Sequence, residues 1–310
     1  MKRVLPPLFA IRGFDAAARH LSFSLAADEL NVSQSAISRQ IKALEVALGY
    51  SLFIRSIRQV SLTPKGAVFH KAIVKSLDIL ERATLKSPSV KRILTISAPQ
   101  SLATNWLVPR LSSFSVRYSQ IDVRVRTSSD PADFEHDKVD VAIRLGRMPG
   151  EKYDADQPFV PQELVRNWRG VSAVHLWDEE LIPVLNKNLL SPSRPLNSPA
   201  DLKNFMLLHV TLRPDAWGDW FNSLKASYPK KARTMEFGHF FMALDAAKAG
   251  HGVALAPRLF LEGPLGSRGD MVCPLPAAKK SAGAYYFLCE EHMKNDQTIR
   301  TFQEWLVSSK

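Results

Sequence analysis

Cysteine is almost missing from this chain. Cys273 and Cys289 are the only two in 310 residues. Two thiols without CxxC spacing argue against a zinc site and against a disulfide scaffold. The eight histidines are scattered, and none stands in an HExxH pattern. There is no G-x-S-x-G, no Walker A motif and no Rossmann glycine pattern, so the common hydrolase, nucleotide and dinucleotide chemistries lack their signatures. No run approaches the ~18 apolar residues that a membrane helix needs. The opening MKRVLPPLF has no long apolar stretch, which reads as a chain without a secretory signal and therefore cytoplasmic. These absences predict no enzyme activity, no cofactor, no metal and no membrane partner. Negative charge is also short: 30 Asp+Glu face 41 Lys+Arg, a net of +11.

That excess is not spread evenly. Residues 1–92 hold 15 Lys+Arg against 6 Asp+Glu, whereas the remaining residues hold 26 against 24. A basic N-terminal region on a nearly neutral body is the electrostatic footprint of phosphate binding. Within it, residues 23–45 read FSLAADELNVSQSAISRQIKALE. Leu25, Ala26, Ala27 and Leu30 predict a first short helix, whose small alanines admit close packing. Asn31 tolerates the left-handed conformation of a helix end. Val32 is expected to plug the turn into the core. Ser33 is a good N-cap for a second helix. Ala36, Ile37, Ile41 and Leu44 then form an apolar stripe at helical spacing. Gln34, Ser35, Ser38, Arg39 and Lys42 point the other way. Gln and Arg can bond base edges in pairs, and Ser and Lys suit phosphate oxygens. The pattern predicts a helix-turn-helix with its second helix in a major groove. An ordinary amphipathic surface helix has a polar face too, and the charge asymmetry is what favours DNA.

Leu52, Phe53 and Ile54 predict a short strand, Arg55 to Gln59 a basic turn, and Val60, Ser61 and Leu62 a second strand. Arg55 and Arg58 at such a hairpin would lie over phosphates or a minor groove. From about Leu8 to Gly66, the order FDAAARHLSFSLAADELNVSQSAISRQIKALEVALGYSLFIR, then VSLTPKG, resembles the winged helix of the LysR-type transcriptional regulators. The resemblance implies a prokaryotic transcription factor that binds operator DNA as a homodimer or homotetramer and acts at promoters alongside RNA polymerase. It also implies a two-lobed effector domain.

Thr63-Pro64 opens a long helix running to about Leu85, with threonine as cap and proline at the first helical position. Phe69, Ile73, Leu77 and Leu80 form an apolar face at near-heptad spacing. It is expected to pair with the same helix of another subunit, as the family's linker helix does, with packing inside the chain as the alternative. KSPSVK, residues 86–91, reads as a hinge.

In the body, Leu94–Ala98, Ile121–Val125, Val139–Ile143, Glu180–Leu185, Met206–Val210 and Gly252–Ala256 predict strands. Helices fall at 106–118, 215–225 and 240–249. The alternation predicts a mainly parallel sheet. The runs LTISAPQSLATNWLVPRL, DKVDVAIRLGRMPG and AAKAGHGVALAP resemble the LysR-type subgroup of the glycine-cleavage activator and the β-lactamase regulator. The expected fold class is α+β overall: an N-terminal winged helix-turn-helix, a long linker helix and a C-terminal two-lobed α/β effector domain like a periplasmic binding protein. The expected boundaries are 1–63, 64–91 and 92–310. One departure stands out. Between Pro149 and Asp178 the chain is longer than the family usually is, as an extra surface loop or as a modified rim of the ligand cleft.

In open α/β folds, ligands sit at strand ends and helix N-termini, where N–H groups favour an anion. Ser101 follows the strand Leu94–Ala98, and by resemblance this position often touches the effector. A simple helix cap is the equal alternative. His239 opens the matching helix of the second lobe, where relatives commonly carry Ser or Thr. Tyr285, in AYYFL, matches a position near the pocket in some relatives. The expectation is a small-molecule effector, anionic in part, between Ser101 and His239, larger or more aromatic than in relatives because the usual hydroxyl pair is lost. Two other readings are an enzyme fused to a DNA-binding domain and a non-specific architectural DNA protein. The missing catalytic motifs oppose the first, and the base-reading side chains with the large body oppose the second.

Overall fold

The computed structural model describes residues 5–55, 60–84, 92–154, 156–262, 269–275 and 278–309. The wing tip with Arg58 and the proposed 86–91 hinge lie outside the described residues. The chain divides at residue 90 into two compact units.

The first unit is three helices, α1 (Leu8–His20), α2 (Phe23–Leu30) and α3 (Gln34–Leu48), followed by strands β1 (Phe53–Arg55) and β2 (Val60–Leu62) and helix α4 (Pro64–Thr84). Each helix end is set by its own residues. The Ser22 hydroxyl accepts the Leu25 N–H at the start of α2, and Ser33 accepts the Ala36 N–H at the start of α3. Such caps contribute about 1 kcal/mol each. Asn31 (φ 53°) and Gly49 (φ 74°) take the left-handed conformation that ends α2 and α3. Val32 does not plug the turn: it is 42% exposed, as Leu25 is at 51%. The turn is held instead by backbone bonds from Asn31 and Val32 to Asp28 and Ala27.

Phe14 is the centre of the core, with its ring 5.6 Å from Phe53 and 5.4 Å from Phe69. Arg19 and His20 hold the Glu29 carboxyl down to about 2, which braces α1 against α2. The Glu45 carboxylate accepts the N–H groups of Leu52 and Phe53 and so aims the chain into β1. Leu52 itself precedes the strand and is fully buried. Thr63 caps α4 by accepting the Gly66 N–H at 2.8 Å. The apolar face of α4 is largely used within the chain. Ile73 is buried in the same core, and Phe69 and Leu77 pack against it. Leu80 and Val68 point outward at 60% and 72% exposure. The centre of the expected seam therefore packs within its own unit.

The second unit carries one sheet in the order β4-β3-β5-β11-β6-β9-β7-β8. Its strands are β3 (Arg92–Ala98), β4 (Ile121–Thr127), β5 (Val141–Gly146), β6 (Val171–Asn186), β7 (Leu207–Val210), β8 (Thr234–Phe237), β9 (Val253–Pro257), β10 (Met271–Val272) and β11 (Lys279–Glu290). The sheet is not mainly parallel throughout. β4-β3-β5 and β9-β7-β8 are parallel ends, and the long β11 and β6 join them through antiparallel pairs. Two lobes result, spanned by the same two strands. The register of β11 on β6 shifts between Lys280 and Ala284, where the strands pass from one lobe to the other.

The first lobe is covered by α5 (Gln100–Leu102), a π turn at Ala103–Leu107 and α6 (Val108–Arg117). The C-terminal α9 (Gln297–Ser308) packs Phe302 and Trp305 edge-on against Phe114 there. The second lobe carries α7 (Ala216–Ser223), which buries Trp217, Trp220 and Phe221, and α8 (Phe240–Lys248). The long 149–178 segment is resolved in favour of a cleft rim. Val171–Trp177 is the first half of β6, and the residues before it bury Val160, Leu164 and Val165. The Phe159 N–H reaches the Asp219 carboxylate at 2.9 Å, and Gln162 donates to the Leu212 carbonyl at 2.9 Å.

Gly66 lies so close to the wing that an added Cβ would stand 2.1 Å from the Leu52 carbonyl oxygen. Gly66→Ala should lose roughly 1–3 kcal/mol through this overpacking. Urea denaturation of the variant against wild type checks it; an unchanged midpoint would mean that α4 does not rest on Leu52.

Candidate nucleic-acid face and ligand cleft

In the first unit, α3 presents Gln34, Ser35, Arg39 and Lys42 to solvent, with Ser38 half-buried among them. Ile37, Ile41 and Leu44 on the opposite face are fully buried. The helix therefore cannot turn its polar side inward, and its exposed side is fixed by the core. Ser33 is exposed and caps α3, and its hydroxyl lies 2.9 Å from that of Ser35. Neither Arg39 nor Lys42 is in an ion pair among the described residues. Two unneutralised cations on a rigid helix face suit phosphate oxygens and base edges. Arg55 ends β1 in the wing.

In the second unit, Ser101, His239 and Tyr285 line one small cavity of about 50 Å³ between the lobes. The helix α8 begins against it. Ser101 is buried, and its hydroxyl accepts the Phe241 N–H at 3.2 Å, from the first turn of α8. The hydroxyl thus bonds the opposite lobe directly and does not cap its own helix. His239 is the N-cap residue of α8 without a side-chain cap bond, and its ring stacks on Phe241 at 5.7 Å. Tyr285 is 3% exposed, and burial, with the Glu179 carboxylate adding to it, pushes its phenol well above the usual range. It is a neutral hydroxyl at every working pH.

Four polar residues that were not singled out in the sequence complete the cleft. Arg144 is 2% exposed in the otherwise apolar β5. It donates to the carbonyls of Asp130, Ser97 and Ile143 and to the Ser97 hydroxyl. Burial lowers its pKa to about 10, so it stays cationic near neutrality. Arg213 and Glu179 form an ion pair at 2.9 Å with side chains 1% and 0% exposed, and Ser281 donates to the same Glu179 oxygen at 2.7 Å. The pair is half-satisfied. Among the described residues, Arg213 Nη2, Glu179 Oε1 and Gln162 Oε1 at the rim have no hydrogen-bond partner. Each such buried group costs about 1–3 kcal/mol. A charged residue inside an apolar run was the available signal for Arg144; which face of the strand it occupies was not readable.

Among the described residues, no His, Cys, Asp and Glu group could hold a metal ion, and no helix is long and apolar enough to cross a membrane. A basic winged helix in one unit, and in the other a two-lobed α/β body with a cavity between its lobes, define a DNA-binding regulator with an effector-binding domain. Comparison with known proteins agrees. Residues 8–67 match the model "Bacterial regulatory helix-turn-helix protein, lysR family", and residues 89–309 match "LysR substrate binding domain". The chain is 38% identical to the glycine cleavage system transcriptional activator of Escherichia coli, over 99% of this chain and 95% of that one. It is 32% identical to the transcriptional activator AmpR of Pseudomonas aeruginosa, over 97% and 95%. The AmpR effector-binding domain from Citrobacter freundii superposes with a TM-score of 0.55 at 26% identity, covering 70% of this chain and 97% of that one. The chain belongs to the LysR family of DNA-binding transcriptional regulators. Its relatives are transcription regulators and not enzymes.

Removing one member of the buried pair strands the other. Glu179→Ala should cost about 3–5 kcal/mol, and the double change Glu179→Leu with Arg213→Met much less. Chemical denaturation of the three proteins measures it. Equal losses for the single and double variants would mean the ion pair is not what the cleft depends on.

Proposed function

We propose that this regulator reads an operator through α3 and switches when a small molecule enters the cleft between its lobes. The exposed, unpaired face of α3 supports the first half. In it, Gln34, Ser38 and Arg39 meet base edges, and Ser33, Ser35 and Lys42 meet phosphates. Arg55 and Arg58 add contacts from the wing. Residues 1–63 hold DNA, 64–91 pair subunits and connect, and 92–310 bind the effector. Pairing of two copies through α4 uses its outward Val68 and Leu80, with Phe69 and Leu77 at the margin, since Ile73 is covered within its own chain. A dimer or tetramer places recognition helices on successive half-sites. The protein acts in the cytoplasm, where a promoter-bound regulator meets RNA polymerase.

The bond from Phe241 N–H to Ser101 carries the second half, because it joins the lobes at the cavity that also holds His239 and Tyr285. An effector that replaces this bond changes how the lobes close. A ligand shifts such an equilibrium only by its differential affinity for the two states.

Arg39→Ala should weaken specific operator binding by about 1–3 kcal/mol and relax preference at one base pair, and Lys42→Ala should weaken all sequences alike and flatten the salt slope. Gel shifts at several salt concentrations separate the two. Unchanged affinity and salt dependence in Arg39→Ala would remove α3 from the DNA. In the cleft, Ser101→Ala removes the bond to the Phe241 N–H, so the effector-free operator complex should already resemble the effector-bound one and respond less to an active metabolite extract. A variant that responds as wild type does would place the effector elsewhere.

A further inference from the structure

The unmet polar atoms of the cleft specify what it takes. Arg213 is 2% exposed and lines the cavity. Its Nη1 is spent on Glu179, and its Nη2 has no partner. Gln162 lines the same cavity from the rim. Its amide orientation is set by Nε2 donating to the Leu212 carbonyl, which leaves Oε1 as a buried acceptor without a donor. A buried cationic donor and a buried neutral acceptor on one cavity call for a molecule with an anionic acceptor and a donor close together. The lining holds two guanidinium groups, Arg144 and Arg213, and no carboxylate. Glu179 answers only one of them, since the bonds of Arg144 run to carbonyls and a hydroxyl. The local field therefore favours a negative ligand. A cavity of about 50 Å³ suits a compact ligand.

Resting on the cleft being the effector site, we infer that the ligand is a small α-amino or α-hydroxy carboxylic acid. Its carboxylate binds Arg213 Nη2, and its α-ammonium or α-hydroxyl donates to Gln162 Oε1. The neutral Tyr285 hydroxyl and the start of α8 close around it. This ligand satisfies two of the unpartnered atoms, Arg213 Nη2 and Gln162 Oε1.

Calorimetric titration of the full-length protein with glycine, alanine and lactate tests the class. Propionate lacks the α-donor and alaninamide lacks the carboxylate. At least one of the first three should bind, and propionate and alaninamide should bind roughly tenfold weaker or not at all. Gln162→Leu removes the acceptor at a partly exposed rim position without touching the ion pair. It should abolish the preference over propionate. Arg213→Lys keeps a charge for Glu179 and loses the second planar nitrogen, so it should weaken every acid by roughly tenfold. Thermal melts of both variants verify folding. Equal binding of propionate and lactate to wild type, or an unchanged preference in Gln162→Leu, overturns the proposal. So does a structure soaked in these acids that shows only water between Arg213 and Gln162. If none of them binds while another metabolite alters the operator complex through Ser101, the ligand class is wrong and the effector site stands. If they bind and are lost in both variants yet never alter the operator complex, the class stands and the switching role falls.

Discussion

The effector-binding unit is organised around the ion pair between Glu179 and Arg213. Glu179 belongs to β6, one of the two strands that run through both lobes, and Arg213 follows β7 in the second lobe. Two full charges at 0% and 1% exposure are tolerable only while each faces the other. That requirement sets the position of Arg213 and, through Ser281, of the irregular stretch of β11 at the crossing. The cavity lies between Arg213, the rim at Gln162 and the first turn of α8. An incompletely satisfied pair is a poor way to stabilise a fold and a good way to recognise a ligand, because the missing bond is worth most where water is excluded.

The DNA-binding unit solves a different problem. It is small, so little apolar area is available to it, and local bonds do much of the positioning. Ser22, Ser33 and Thr63 cap three helices, and Asn31 and Gly49 end two. The Phe14 ring cluster ties α1 to the wing and to α4. With Ile37, Ile41 and Leu44 fully buried, the polar side of α3 has one orientation available. Arg39 and Lys42 are presented by a rigid element, which lowers the entropy that this face would lose on binding a partner.

Much of this unit was legible in the residues. The helix ends, the two wing strands and the buried stripe of α3 each depend on neighbours a few positions away, and such interactions are written into spacing. The errors also have local causes. Val32 looked like a plug because it is apolar, yet the backbone bonds of the turn already hold it in place. The α4 stripe left two occupants open, another subunit or its own chain, because spacing identifies an apolar face without naming what covers it; Ile73 packs into its own unit's core.

In the second unit, composition and alternation carried the α/β class, two lobes and the helices that open at Ser101 and His239. Hydrophobic periodicity and capping act over one or two turns, so they survive in a bare sequence. Strand direction, the crossing of β6 and β11, and the use of residues 151–177 as rim and strand required the assembled sheet. The same holds for Arg144, Gln162, Glu179 and Arg213. Glu179 and Arg213 lie 34 positions apart, and Arg144 and Ser97 lie 47 apart. A charge in an apolar run signals that something is unusual, but its partner is chosen by tertiary packing, because burial leaves each charge no alternative to the group that folding brings beside it.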